Sequence, residues 1–180
     1  HGDTVEIGST RIPCKTIIWA AGVQASGAAQ WIGAAQDRAG RALVAPDLSA
    51  PDQPDIFLIG DTASVVDKAG APVPGIAPAA KQMGAYVARV ITHRLSGKSP
   101  PAPFAYRHLG NMATLGRHAA IADFGRFRLK GRLAWWVWGV AHIFFLIGTR
   151  SRFAVAWSWF WSFVTGQNSA RIITVSQDRR

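Results

Sequence analysis

Residues 55–95 read DIFLIGDTASVVDKAGAPVPGIAPAAKQMGAYVARVITHRL, and this stretch decides the fold. Ile56 to Ile59 is a short apolar run bounded by turn-forming residues, the pattern of a buried strand. Gly60 and Asp61 end the run. A glycine there lets a ligand approach the backbone closely. The aspartate brings an acceptor to the strand's carboxyl end, where open α/β sheets bind ligands. A loop rich in proline and glycine follows, with Gly70, Pro72, Pro74 and Gly75. Pro78 then suits the first turn of a helix, because its missing N–H would have had no intrahelical partner. Met83, Val87, Val90, Ile91 and Leu95 recur at helical spacing and predict the buried face of that helix. Gly97 suits its stop.

Upstream, Val5 and Ile7 alternate with polar residues, Gly8-Ser9 makes a turn, and Arg11-Ile12 follows, so residues 3–12 predict a small hairpin. Lys15 to Trp19 (KTIIW) reads as a second buried strand running into Ala20, Ala21 and Gly22. Small residues at a strand end admit a flat ligand, although an ordinary strand-to-loop turn has the same composition. Gln24 to Arg38 is alanine-rich and reads as loop plus a short helix; Leu43-Val44 and Pro46-Asp47-Leu48 read as short strand and turn.

Downstream, residues 97–103 (GKSPPAP) form a linker, since adjacent prolines stop helix and sheet alike. From Tyr106 to Asp123 short apolar runs are interrupted by Gly110 and Gly116 and followed by Gly125, which predicts short strands and turns. Arg126, Arg128, Lys130 and Arg132 then precede two blocks without Lys, Arg, Asp or Glu, residues 133–149 and 153–170, separated by Arg150 and Arg152. A spanning helix wants about 20 apolar residues, and tryptophan favours the membrane–water interface. Two short helices lying in the headgroup region are the expected arrangement. A hairpin through the bilayer and burial in a soluble core or oligomer are the alternatives. Residues 171–175 (RIITV) read as a closing strand or tail.

Charge divides the chain the same way. Residues 1–100 hold nine Lys/Arg against eight Asp/Glu, a balance of +1, whereas residues 101–180 hold eleven against two, a balance of +9. Six of the eight tryptophans lie between Trp135 and Trp161. A basic, tryptophan-rich half matches a surface that is anionic outside and apolar within, as a membrane is. Nucleic acid is the weaker reading, because the basic residues flank apolar blocks instead of alternating with exposed aromatics. Cys14 is the only cysteine, so no intramolecular disulfide or thiol pair can form. No His/Cys spacing fits a metal, and His142, alone in an aromatic block, reads as a packing residue. The first residues are charged, lack an initiator Met and contain no signal peptide, so a piece of a longer chain is expected.

Several strings together carry a resemblance: IWAAGVQAS, PDIFLIGDTA, PVPGIAPAAKQMGAYVA, MATLGRHAAIADFGRFRLKG and AWWVWGVAHIFFLIGTRSR, in this order. They closely resemble the carboxyl-terminal part of type II NADH dehydrogenases, single-chain FAD-containing NADH:quinone oxidoreductases held peripherally on respiratory membranes. The Gly60-Asp61 element is shared with many flavoproteins; the glutamine motif from Ala77 to Gln82 with the tryptophan-rich tail is more specific. The resemblance implies an α/β fold: the carboxyl-terminal portion of a two-Rossmann-domain flavoprotein of the disulfide reductase-like kind, plus a membrane-binding helical segment. Residues 1–18 would end the NADH-binding domain, 19–103 would form the second half of the FAD-binding domain, 104–132 short strands and a basic linker, and 133–180 the anchoring helices and tail.

By the same resemblance Asp61, beside Gly60, accepts hydrogen bonds from the ribityl chain of FAD, and Ala20, Ala21 and Gly22 pass close to that cofactor. Ala77 opens the helix beside the flavin ring, and Lys81 and Gln82 stand at the catalytic, quinone-facing side. Implied partners are NADH, a membrane quinone (ubiquinone or menaquinone), the lipid bilayer and a possible homodimer, with no nucleic acid. The implied location is the cytoplasmic face of a bacterial cell membrane. No G-x-G-x-x-G follows a strand, so neither nucleotide-pyrophosphate loop lies in these residues, and the isolated chain is expected to be inactive. The alternatives are a truncated membrane-binding remnant or a half-enzyme needing a partner that carries those loops. A sulfide:quinone reductase would need a redox cysteine pair, and Cys14 stands alone.

Overall fold

The computed structural model describes residues 4–18, 20 and 22–166, so Trp19, Ala21 and the expected closing strand at 171–175 lie outside the described residues. The chain divides into two units, residues 1–108 and 109–180.

In the first unit, β1 (Thr4–Ile7) and β2 (Thr10–Pro13) form the expected hairpin, with Val5 opposite Ile12. The strand expected at 15–19 does not form: residues 15–18 belong to no strand, and Ile17 and Ile18 are exposed. An apolar run becomes a strand only when another edge takes up its N–H and C=O groups, and no described segment pairs with it. The short helix α1 (Ala28–Trp31) falls inside the expected 24–38 segment. Next come β3 (Ala42–Leu43), β4 (Ser49–Ala50) and β5 (Gln53–Phe57). A 3₁₀ turn over Gly60–Thr62 leads into β6 (Ala63–Ser64). β3 pairs in parallel with β6, and β4 pairs antiparallel with β5.

The strand expected at Ile56–Ile59 is therefore displaced toward the amino terminus. Only Ile56 and Phe57 of that run lie in β5; Leu58 is buried and Ile59 is partly exposed. Leu58 still continues the sheet's bonding, its N–H donating to the Leu48 carbonyl at 3.0 Å.

The long helix α2 runs Ala77–Leu95, with proline in its first turn. Ala79, Met83, Tyr86, Val87 and Val90 are buried, but Ile91 and Leu95 are exposed, contrary to expectation. At about 100° per residue, Ile91 and Leu95 rotate progressively away from the face centred on Met83 and Val90, while Tyr86 lies within it. Met83 and Leu48 are the largest fully buried side chains of this core. Arg94 ties the end of α2 to the strands: it donates to the Pro54 carbonyl at 2.7 Å and to Asp47 Oδ2 at 2.9 Å, and lies over the Phe57 ring.

The second unit opens with an antiparallel meander, β7 (Asn111–Leu115), β8 (Ala119–Asp123) and β9 (Arg128–Lys130). Gly110, just before it, has φ 105°, and a Cβ there would lie 2.6 Å from the Asp123 carbonyl oxygen, so only glycine fits. The basic stretch supplies β9 and then α3 (Gly131–Phe145); α4 (Thr149–Thr165) follows. Ala120, Ala122 and Ala134 are fully shielded where α3 lies on β8; their small side chains let helix and sheet backbones come close. Trp138 stacks on Trp159 at 5.3 Å, and Trp135 meets Phe163 at 5.6 Å, joining α4 to α3. Among the described residues no helix is long and apolar enough to cross a membrane.

Candidate functional site

The end of the β5 run, the loop before α2 and the first turns of α2 come together. Gly60 has φ 66°, a left-handed conformation suited to glycine, and a Cβ there would stand 3.3 Å from the Ala80 Cβ. Its N–H donates to the Met83 sulfur at 3.1 Å. The 3₁₀ turn thus sits directly on α2, and its tightness explains why the apolar run ends in glycine. Asp61 is exposed and faces the loop: a Cβ on Gly75 would lie 3.4 Å from Asp61 Oδ1. Thr62 closes the turn, its hydroxyl donating to the Ile59 carbonyl at 3.0 Å.

The amino end of α2 carries no side-chain cap and no acidic residue in its first turn. Helix dipoles sum to roughly half a positive charge at such an end, so this one favours an anionic or electron-rich group. Ala77 is its first residue and is exposed. Lys81 is exposed on the next turn, and Gln82 beside it is half-buried. Gly60, Asp61, Ala77, Lys81 and Gln82 therefore fall on one end of one helix and the turn against it. Ala20 and Gly22 lie exposed in irregular chain, and nothing stands within 4 Å of where a Gly22 Cβ would be. Ala21, predicted with them, is outside the described residues.

The side chain of Gln82 is engaged. Its Nε2 donates to the Arg107 carbonyl at 2.9 Å, and its Oε1 accepts from the Arg107 N–H at 2.9 Å. The same stretch is held again where the Phe104 N–H donates to the Pro46 carbonyl at 2.9 Å and the Phe104 ring meets Tyr86 edge-on at 5.5 Å. A cleft of about 370 Å³ lies between α2 and residues 101–105, lined by Gln82, Tyr86, Arg89 and Phe104. Burial pushes the Tyr86 hydroxyl pKa up, the negative charge of Asp47 adds to this, and Arg89 partly offsets it. Burial alone would raise the Asp47 carboxyl, but hydrogen bonds from Ser49 and the charge of Arg94 hold it below its ordinary value. Arg107, Tyr86 and Phe104 escape sequence reasoning as site neighbours: Arg107 sits 25 residues from Gln82, and no periodicity links them.

No group of His, Cys, Asp and Glu among the described residues could hold a metal ion. For a flavin cofactor, the residues present fit one part of the molecule: an exposed carboxylate for hydroxyl donors, a left-handed glycine turn close against the helix, and an uncapped helix end.

Comparison with known proteins agrees with the division into units. The NDH2 C-terminal domain family matches residues 108–168, starting one residue before the second unit. Over 175 residues the chain is 39% identical to the type II NADH:quinone oxidoreductase NdhA of Mycobacterium tuberculosis, covering 93% of this chain and 36% of that protein. It is 38% identical to Ndh of the same organism, with the same coverage. The internal alternative NAD(P)H-ubiquinone oxidoreductase A1 of Arabidopsis thaliana mitochondria is 30% identical, over 91% of this chain and 35% of that protein. A solved structure of NDH2 from Plasmodium falciparum in complex with NADH shares the fold, with a TM-score of 0.67 at 18% identity over 87% of this chain and 45% of that one. The chain spans about 36% of the length of the curated relatives it matches first. By these likenesses the chain is similar to the carboxyl-terminal part of type II NADH:quinone oxidoreductases.

Proposed function

We propose that this chain is the acceptor-side and membrane-facing part of an NADH:quinone oxidoreductase, in which a hydride from NADH is taken up and two electrons leave to a membrane quinone. FAD, when bound, would supply the two-electron relay between the two substrates. The observation that carries this reading is the convergence of Gly60, Asp61 and Gly75 on the uncapped amino end of α2. Asp61 would accept from the ribityl hydroxyls, because a carboxylate accepts strongly and hydroxyls donate. Gly60 would let the cofactor approach the turn. The α2 end at Ala77 would favour negative charge on the reduced ring. Lys81 and Gln82 would face the quinone. The two-Rossmann layout, with Ala20, Ala21 and Gly22 near the cofactor, belongs to the same proposal.

The second unit would hold the protein on the membrane. Leu133, Trp136, Val140 and Phe144 form one exposed stripe on α3, and Phe153, Trp157, Phe160 and Val164 form one on α4. The helices have 15 and 17 residues, about 22 and 26 Å at roughly 1.5 Å per residue. Each falls short of the roughly 30 Å hydrocarbon core, so they would lie along the headgroups, on the cytoplasmic face of a bacterial membrane.

Asp61→Ala in the flavin-loaded full-length protein tests the cofactor assignment. Loss of a charged acceptor is expected to weaken flavin binding by roughly ten- to a hundredfold. Flavin content after extensive dialysis is the measurement, and unchanged content would sink the assignment.

A further inference from the structure

Gln82 meets Arg107 through main-chain atoms alone, one bond each way, as one strand edge meets another. The pair fixes more than distance. Rotating the Gln82 amide by half a turn would set its NH₂ against the Arg107 N–H and its oxygen against the Arg107 carbonyl, losing both bonds. Only one amide orientation is therefore compatible with the clamp. In that orientation one N–H of Nε2 and one lone pair of Oε1 remain unused by Arg107. The clamp also holds down residues 104–108, the last residues of the first unit.

We infer that the Arg107 main chain is a positioning element for Gln82: it locks the amide so that the spare N–H is presented in a fixed direction to a quinone carbonyl oxygen, and the spare lone pair to the hydroxyl of the quinol that forms. This rests on the acceptor-side reading above. The side chain of Arg107 takes no part in the clamp. Arg107→Ala should therefore preserve it, whereas Arg107→Pro, which lacks the N–H, should lose half of it. Gln82→Met, of similar volume, loses both bonds. Gln82→Glu is the sharpest variant. Its ionised carboxylate can accept from the Arg107 N–H but cannot donate to the carbonyl. Its protonated form can do both, so the clamp should reform as pH falls toward the carboxyl pKa, near 4.3 unperturbed.

The test uses the flavin-loaded full-length protein and two readouts. Amide hydrogen exchange of a peptide covering 104–108 should be about five- to tenfold faster in Gln82→Met and wild-type-like in Arg107→Ala. In Gln82→Glu it should return toward the wild-type rate, measured at the same pH, as pH is lowered. The quinone KM should rise by roughly tenfold in Gln82→Met and Arg107→Pro, and the two effects should not add in the double variant. Unchanged exchange in Gln82→Met would overturn the clamp. Arg107→Ala as damaging as Arg107→Pro would overturn the main-chain role. Fast exchange in Gln82→Met with an unchanged quinone KM would overturn the acceptor role. A wild-type protein that does not pass electrons from NADH to quinone would overturn the functional reading, while the exchange data would still decide on the clamp.

Discussion

The two units dispose of their apolar side chains in opposite ways. The first packs Leu48, Met83, Tyr86, Val87 and Val90 into a buried core. Among the described residues the second shields only Ala120, Ala122 and Ala134 to the same degree and leaves Leu133, Trp136, Phe144, Phe153, Trp157 and Phe160 exposed. Ile147, in the turn between the two helices, is 92% exposed. A soluble monomer tolerates exposed apolar patches of only a few hundred Å². The difference is thus one of burial: side chains of the first unit find their apolar phase within the unit, and those of α3 and α4 stand exposed. In the proposed arrangement a bilayer would supply their apolar phase and would also attract Arg126, Lys130 and Arg150.

The largest expected effect breaks the second side of this contrast. Deleting 133–165 should release the full-length protein from membranes. The intact protein should sediment with vesicles through a high-salt wash and be freed by detergent. Each large side chain contributes about 1.5–3 kcal/mol at full burial, and less at partial depth. Each basic group near an anionic leaflet adds about 1 kcal/mol, a part that salt removes. With this many aromatics the salt-resistant part dominates, so release by salt alone would show the aromatic faces to be covered by protein.

Next in size is Met83→Ala in the first core. Removing a fully buried methionine should cost about 2–5 kcal/mol, read as a lower urea midpoint. A loss under about 1 kcal/mol would mean that the core collapses to fill the space. Trp157→Ser probes the mirror case. Because Trp157 is exposed, unfolding should shift by no more than about 0.5 kcal/mol, while vesicle affinity falls clearly. A large stability loss without a change in affinity would place Trp157 in a core.

The smallest effect is electrostatic. The Asp47 carboxyl sits below its ordinary pKa of 3.8, with Ser49 and Arg94 favouring its charged form. A group depressed in the folded state adds stability that is present above its unfolded pKa and lost as pH falls through the folded one. Asp47→Asn should therefore be destabilising at neutral pH and converge with wild type in acid below pH 3.8. A gap that stays constant across that window would assign Asp47 a packing role only.

Local chemistry was legible from residues close together in the chain. The Gly8 hairpin, the proline-opened start of α2, the Gly60 turn and the two aromatic helices all follow from neighbours within a turn or two. The two-residue strands β3 and β6 were harder, since Ala42 and Ala63 pair across 21 residues and neither makes a visible pattern. KTIIW shows the opposite error: high strand propensity at 15–18, and no edge among the described residues to pair with.

Asp61 and Gln82 illustrate the boundary most clearly. By itself the sequence determined that a carboxylate follows a glycine at the end of an apolar run, and that a glutamine sits one turn into a helix. Those are matters of dihedral preference and helical period, which act over a few residues. Only the tertiary structure decided that the glutamine's amide is held by the Arg107 backbone and that Gly75 brings the loop against Asp61. It also decided that Tyr86, not Leu95, faces the core. Such contacts depend on where distant segments of chain meet, and no local propensity encodes that.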